Sequence, residues 1–479
     1  MSTLRSLRLL GAVEAGTVSG SQLETYLADL GRRAEMSVLL SNRGQSRRMA
    51  GNSMTMTAIT TSPAAINIVF QAATTATSAA CTAVVSSAIA MNSVANSISS
   101  LNVVGANSVA WGLFSTSSYY ETNVRTTLAN YAGVSPSVYP TVASLIADPV
   151  SMADIVAVPY AMSAAVASTP TITLIAASST AMAMVAGSSS AITIVAAQTS
   201  IMSVIANSTA AMTEINSRAP ATAAMAAQPG AILAISSVAT AWASYMAGSY
   251  FSANLATIIC NLIGVLPASY PTLSSIIADV TALAKVAVNK AAVQALASNT
   301  AAMSTLASSS NIGTILGSST AMGVIGPNTS AMSSFLSASG AWSGLFSSSI
   351  AKGYIVTSTA LVDAIAGNSA LLTYLATLSK VTQPATIPDG LVGTFQTYDG
   401  GQPAKVLILS VKEVGIAATF SDYKLGGATS AGTAAGTTMH VSSQVSVAAI
   451  AGYTGLTWDL LAAGVTAATL PVIKYVDMT

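Results

Sequence analysis

The chain has 479 residues, of which 52% are hydrophobic, only 5% aromatic and 7% charged, against about 25% charged in ordinary soluble proteins. A net charge of +1 argues against a nucleic-acid surface running over the whole chain. Solubility must then rest on Ser and Thr hydroxyls, as expected of a protein that buries its faces in an assembly.

The charges divide the sequence. Residues 1–50 hold seven Arg and four acids, residues 51–380 six basic and six acidic residues, and residues 381–479 four Lys and six acids. We therefore expect a head, an array and a tail.

In the head, Ser21-Gln22-Leu23-Glu24 fits a capping box. Leu23, Leu27 and Leu30 follow at i, i+4 and i+7, which predicts an amphipathic helix. Gly31 is placed to interrupt it, and residues 33–40 read as a second helix. Arg32, Arg33, Arg43, Arg47 and Arg48 form a basic cluster. With Glu14, Glu24, Asp29 and Glu35 nearby, a protein-docking surface is favoured over a nucleic-acid one, and a simply solvated face is the plain alternative. Arg5 and Arg8 precede an apolar run that Glu14 cuts short, so a signal peptide is not expected.

After a degenerate stretch over residues 51–108, a strict period of ten fills residues 151–248. The second residue of each unit is Met152, Met162, Ile172, Met182, Ile192, Met202, Met212, Thr222, Ile232 and Trp242. The fifth is Ile155, Ala165, Ile175, Val185, Val195, Ile205, Ile215, Met225, Ile235 and Tyr245. A fixed period marks a repeat architecture. One continuous helix is excluded, because ten residues at about 100° each leave the apolar stripe roughly 80° short of closing. The expected unit is a short helix and a turn. Ser178-Ser179-Thr180 supplies an N-cap, and Gly187 or Asn207 a left-handed C-cap. Such helices are unstable alone and must stack. Disorder is set aside, because disordered chains lack regular apolar columns.

A second repetition lies over the first. Trp111, Tyr119, Tyr120, Asn123, Asn130, Gly133, Tyr139, Pro140, Thr141 and Asp148 recur 131 residues later as Trp242, Tyr250, Phe251, Asn254, Asn261, Gly264, Tyr270, Pro271, Thr272 and Asp279. The array is thus broken by two aromatic inserts, residues 109–150 and 240–280. They read as structural joints carried by Trp111, Tyr119, Tyr139, Pro140, Trp242, Tyr250, Tyr270 and Pro271, with each proline expected at a first helical position. Ligand sites are the alternative. Within the second insert, residues 251–266 are the best membrane-span candidate. They fall short of the ~20 residues required and include Asn254 and Asn261, so no membrane insertion is expected. Cys81 and Cys260, far apart in apolar surroundings, read as small buried residues and not as a disulfide framework.

The decads resume over residues 281–381, with Met303, Met322, Met332 and Trp342 in the column. Residues 382–390 read as a linker, and residues 391–479 as a small antiparallel β domain. Within it, residues 405–411 and 470–476 read as strands, residues 439–447 alternate, and residues 426–436 form a glycine-rich loop. The fold class expected is mainly α: an array of short capped helices, about ten residues per unit, with aromatic inserts and that β domain.

Catalytic patterns are missing from the sequence. The one histidine, His440, stands in no cluster with metal-ligand spacing. The glycine-rich loop lacks a Lys-Ser/Thr ending. No serine sits in a Gly-x-Ser-x-Gly elbow. An enzyme is not expected, nor a cofactor or a metal.

Leu9-Leu10-Gly11-Ala12-Val13-Glu14-Ala15-Gly16-Thr17, Gln22-Leu23-Glu24 and Arg43-Gly44-Gln45-Ser46-Arg47-Arg48-Met49-Ala50 lead straight into Ser-x-x-Ala-Met-x-x-Ile/Val-Ala units. This resembles the repeat-bearing virion structural proteins of tailed bacteriophages, tail-fibre or fibre-like. Lys405-Val406-Leu407-Ile408-Leu409-Ser410-Val411 and Tyr423-Lys424-Leu425-Gly426-Gly427 resemble the segments found downstream of such arrays. The resemblance implies a virion appendage made in the host cytoplasm. It also implies a homotrimer or higher oligomer, head contacts to other virion proteins and a host receptor as a further partner. A decoration or sheath-type virion protein and a bacterial surface adhesin are the competing readings; the adhesin should carry a secretion signal.

Overall fold

A computed structural model describes residues 2–71, 79–355 and 358–378, and strand segments between 380 and 477. The chain is mainly helical, in a repeat array. It divides into two units, residues 1–254 and 255–479.

Each decad from Pro149 to Met246 is a helix of eight or nine residues and one corner. Ser179–Gly187 is typical. Ser178, its N-cap, is extended (φ −99°, ψ 111°), and its hydroxyl accepts the Ala181 amide. Ser188 repeats the conformation (φ −101°, ψ 113°) and opens Ser189–Ala196. A single extended residue thus ends one helix and starts the next. Three successive pairs, beginning with Pro149–Ala157 and Pro159–Ala167, bend by 105°, 101° and 103°. Three such turns bring the fourth helix back over the first, and the packing follows this rule. Ser179–Gly187 stacks on Thr209–Asn216, Ser189–Ala196 on Ala219–Ala227, and Thr199–Ala206 on Pro229–Ser237. In the second unit Lys290–Ala297 stacks on Ser319–Ile325, and Thr300–Ala307 on Thr329–Ser337.

This geometry explains the period. Positions 1, 2, 5 and 6 of a decad fall within about 140° of one helix face. Positions 2 and 5 carry the bulk: Met182, Val185, Met202 and Ile205 are completely buried. Positions 1 and 6 are buried too, and mostly alanine, as at Ala181, Ala186, Ala191 and Ala196. Small side chains at the stripe's edges let stacked backbones approach. The sequence columns show only the large half of this core.

The expected left-handed C-caps do not form. Gly187 is the last helical residue before an extended Ser188, and Asn207 is right-handed (φ −81°). The extended corner makes the turn without a positive φ. Among the described residues only Gly16, Gly133 and Gly264 have one.

From Gly20 on, the head follows the same stacking, whereas Ser2–Glu14 packs on Leu30–Leu40 and Ser53–Thr60. Leu30–Leu40 packs on Pro63–Gln71, and Arg43–Ala50 on Ala79–Val85. Charge marks the first fifty residues, but packing runs through residue 50. Three expectations here are corrected. The capping box is Ser19 with Gln22, two residues earlier than read. Glu24 instead accepts from Ser62 Oγ at 2.6 Å and the Ala64 amide at 2.7 Å, and so caps Pro63–Gln71 from a distance. Leu30 does not continue the first helix, which ends at Tyr26. It opens Leu30–Leu40 behind the N-cap Asp29 and is 77% exposed.

Beyond residue 379, Lys380–Thr382, Val472–Asp477, Val406–Lys412 and Gln444–Ala451 pair antiparallel in that order. So do Val392–Phe395, Leu456–Leu460, Phe420–Leu425 and Thr438–Met439. Thr382 therefore pairs in a strand. The linker residues 383–390, the loop at 426–436 and His440 lie outside the described residues.

Candidate functional site

The five candidate docking arginines do not share one environment. The Arg32 guanidinium lies 4.5 Å from the Tyr26 ring centre. Arg33 Nε donates to the Leu27 carbonyl at 2.5 Å. Arg48 pairs with Glu14, whose side chain is only 10% exposed, and ties helix Ser2–Glu14 to Arg43–Ala50. These three work largely inside the chain. Arg43 and Arg47 are one helical turn apart, exposed, and line a groove of about 700 Å³. Its other walls come from Ala79–Val85, the Ser87 corner and Tyr119. Tyr119, expected as a joint, thus faces this groove as well.

The two inserts repeat a three-ring cluster. Trp111, Phe114 and Tyr120 have ring centres 5.7–6.4 Å apart. Trp242, Tyr245 and Phe251 have theirs 5.7–6.1 Å apart. The edge-on pairs are the favoured aromatic arrangement. The hydroxyl changes ring between copies: Tyr120 donates to the Ala164 carbonyl at 2.6 Å, Tyr245 to that of Thr222 at 3.0 Å. Thr222, the one small residue in its column, stands where the Tyr245 ring enters. The 131-residue repetition shows Trp111, Tyr120, Trp242 and Phe251, but the equivalence of Phe114 and Tyr245 was missed, because Tyr245 also falls in the decad column and reads as part of it. Tyr131, whose hydroxyl donates to the Leu101 carbonyl at 2.7 Å beside Tyr160, was missed as well.

The other joint residues hold corners. Tyr139 donates to Asp148 at 2.5 Å, and Tyr270 to Asp279 at 2.8 Å. Each aspartate is the N-cap of the next helix, Pro149–Ala157 or Val280–Val288. Hydrogen bonds from Ser151 and then Tyr139 hold the Asp148 carboxyl down at about 2. Those from the Ala282 amide and then Tyr270 lower that of Asp279. Pro140 and Pro271 are not first helical residues. Thr141 and Thr272 follow them as capping-box N-caps, and the helices start at Val142 and Leu273. Tyr250 is 38% exposed and accepts from Asn254 only through its backbone carbonyl, at 3.0 Å.

Cys81 and Cys260 are buried. Among the described residues no three His, Cys, Asp or Glu side chains gather as metal ligands, and no single helix is long and apolar enough to cross a membrane. The candidate span is broken: Leu255–Leu262 is eight residues long and ends before the left-handed Gly264. A shallow trough of about 680 Å³ between Thr300–Ala307 and Thr329–Ser337 is lined almost wholly by Ser and Thr residues.

These features define a helical repeat protein with a hydroxyl-covered exterior, aromatic joints and a basic groove near its amino-terminal end. No protein-family model matches the chain, and no curated protein matches it significantly.

Proposed function

We propose that this is a non-enzymatic structural component of a tailed-phage virion, a fibre or fibre-like appendage. The observation that supports the reading best is the recurrent stacking of helices on the third one after them through the decads, as Ser179–Gly187 on Thr209–Asn216 and Lys290–Ala297 on Ser319–Ile325. A unit that adds one side and one corner at a time is suited to setting length. In this reading the decads form a shaft and the amino-terminal head docks on other virion proteins. The paired strands beyond residue 379 belong to a small β domain for host contact or assembly, and copies associate as a homotrimer or higher oligomer.

The test is localisation. Antibodies against residues 1–50 should label the attachment point of an appendage on purified particles, and antibodies against residues 391–479 should label the same appendage. Purified particles without the chain would overturn the reading, and label spread over the whole capsid or tail surface would favour a decoration protein. Mass measurement of the purified chain tests the oligomer; a monomer of about 48 kDa would reject it.

A further inference from the structure

We infer that the groove beside Arg43 and Arg47 is a docking site for an acidic peptide segment of a partner protein. The inference names the partner chemistry for the head-docking role proposed above and rests on that reading.

The first observation is a contrast among arginines. Arg32, Arg33, Arg48, Arg125 and Arg218 each engage a group of their own chain: a ring, a backbone carbonyl or a carboxylate. Arg43 and Arg47, among the described residues, engage none, and both project at the same groove. Their i, i+4 spacing sets the two side chains side by side on one helix face. Each guanidinium is a rigid fork that matches a carboxylate in bidentate fashion.

The second observation is the composition of the groove. Among the described residues no acidic side chain lines it, so none of them neutralises the pair. The opposite wall offers small residues, the hydroxyls of Thr82 and Ser86, and the Tyr119 ring. Ser87 is already committed, since its hydroxyl donates to the Ala50 carbonyl at 2.5 Å and accepts the Ala90 amide at 3.3 Å. Its place is to fix the groove floor.

Charge complementarity selects the occupant. A volume of about 700 Å³ admits a few residues of extended or helical chain. Two positive charges in a bounded groove match two carboxylates. A nucleic-acid backbone would call for a longer basic track, and the chain's net charge is only +1.

The test uses the full-length protein and a fluorescein-labelled hexaglutamate peptide, read by anisotropy. Binding should weaken about tenfold or more in Arg43→Ser/Arg47→Ser, because both charge-assisted forks are lost. It should weaken comparably in Thr82→Glu, which supplies an internal carboxylate on the opposite wall. Arg32→Ser, outside the groove, should leave it unchanged. Raising salt from about 50 to 300 mM should weaken it further. No peptide binding, equal binding by the groove variants, or stronger Arg43/Arg47-dependent binding of an oligothymidine would each overturn the proposal. Because the assay needs no particle, its result is separable from virion localisation.

Discussion

The Ser318 hydroxyl donates to the Ala287 carbonyl at 2.6 Å while accepting the Ala321 amide of its own helix at 3.2 Å. One side chain thereby caps a helix start and satisfies an orphan carbonyl at the helix end 31 residues earlier. Ser208 does the same toward Ala176, and Ser348 toward Leu316. Asn328 and Asn368 use the amide nitrogen for the donor half, toward Ala297 and Leu336. Helix ends leave such groups unsatisfied unless something pairs them. The recurrent corner residue is therefore a clamp between coils as well as a cap.

The clamp predicts an ordering of variants. Ser318→Ala loses a cap, about 1 kcal/mol, and strands a carbonyl, about 1 kcal/mol more. Ser318→Asn should retain most of both, since asparagine fills this role at residue 328. Urea melts of the three proteins measure the difference. Equal loss in the alanine and asparagine variants would show that the hydroxyl acts on one side only.

The core predicts two kinds of damage. Met202 is fully buried at position 2, so Met202→Asp leaves an unpaired charge inside and should cost several kcal/mol. Ala186 is fully buried at position 6, so Ala186→Leu should force stacked helices apart and cost about 1–3 kcal/mol. Ser203→Ala, on the exposed face, should stay within about 0.5 kcal/mol. Thermal melts test all three, and a neutral Ala186→Leu would mean the coils are not closely stacked.

How much of this could be read beforehand depends on the residue. Met202 and Ile205 announce themselves by size and period. Ser178 announces itself as a cap. Ala186 does not, because alanine is at home on either face of a helix, and only stacking decides which alanines are buried. Gly187 misleads, since glycine after an apolar run signals a left-handed stop while an extended Ser188 makes the turn instead. Glu24 is opaque for another reason: its partners Ser62 and Ala64 are 38 and 40 residues away, and no local pattern reports so distant a cap. Among the arginines the basic cluster was visible, but only geometry separates Arg43 and Arg47 from the three that are engaged within the chain.

The Tyr139–Asp148 corner predicts a pH dependence. Its aspartate is held at about 2, below the ordinary value near 3.9. A depressed carboxyl stabilises the fold above its unfolded pKa, and that contribution is lost as pH falls from about 4 toward 2. Ser151→Ala should raise the Asp148 pKa the most and Tyr139→Phe by less, shifting the acid limb of the melting curve to higher pH. Carbon-detected NMR of the carboxyl reads the titration directly. An unmoved Asp148 in both variants would show that neither hydroxyl reaches it in solution.

The quantum of insertion gives the last prediction. Residues 179–208 are three decads with similar corners, and each helix meets mainly its chain neighbours and the helices stacked on it, with a smaller contact to the fourth helix along. Duplicating residues 179–188 adds one complete side and one corner. The downstream chain still stacks every third helix, so the protein should remain folded, with a thermal midpoint lowered by only a few degrees from about 1 kcal/mol of imperfect corner pairing. Duplicating residues 179–183 adds half a side. The buried stripe then faces outward on every helix that comes after until the corner pattern recovers, and the cost is the burial of several Met, Ile and Val side chains at about 1.5–3 kcal/mol each. Circular dichroism and thermal melting distinguish the two outcomes. If both insertions are tolerated alike, the decad is not the structural unit; if both unfold the chain, the units are less interchangeable than their corners imply.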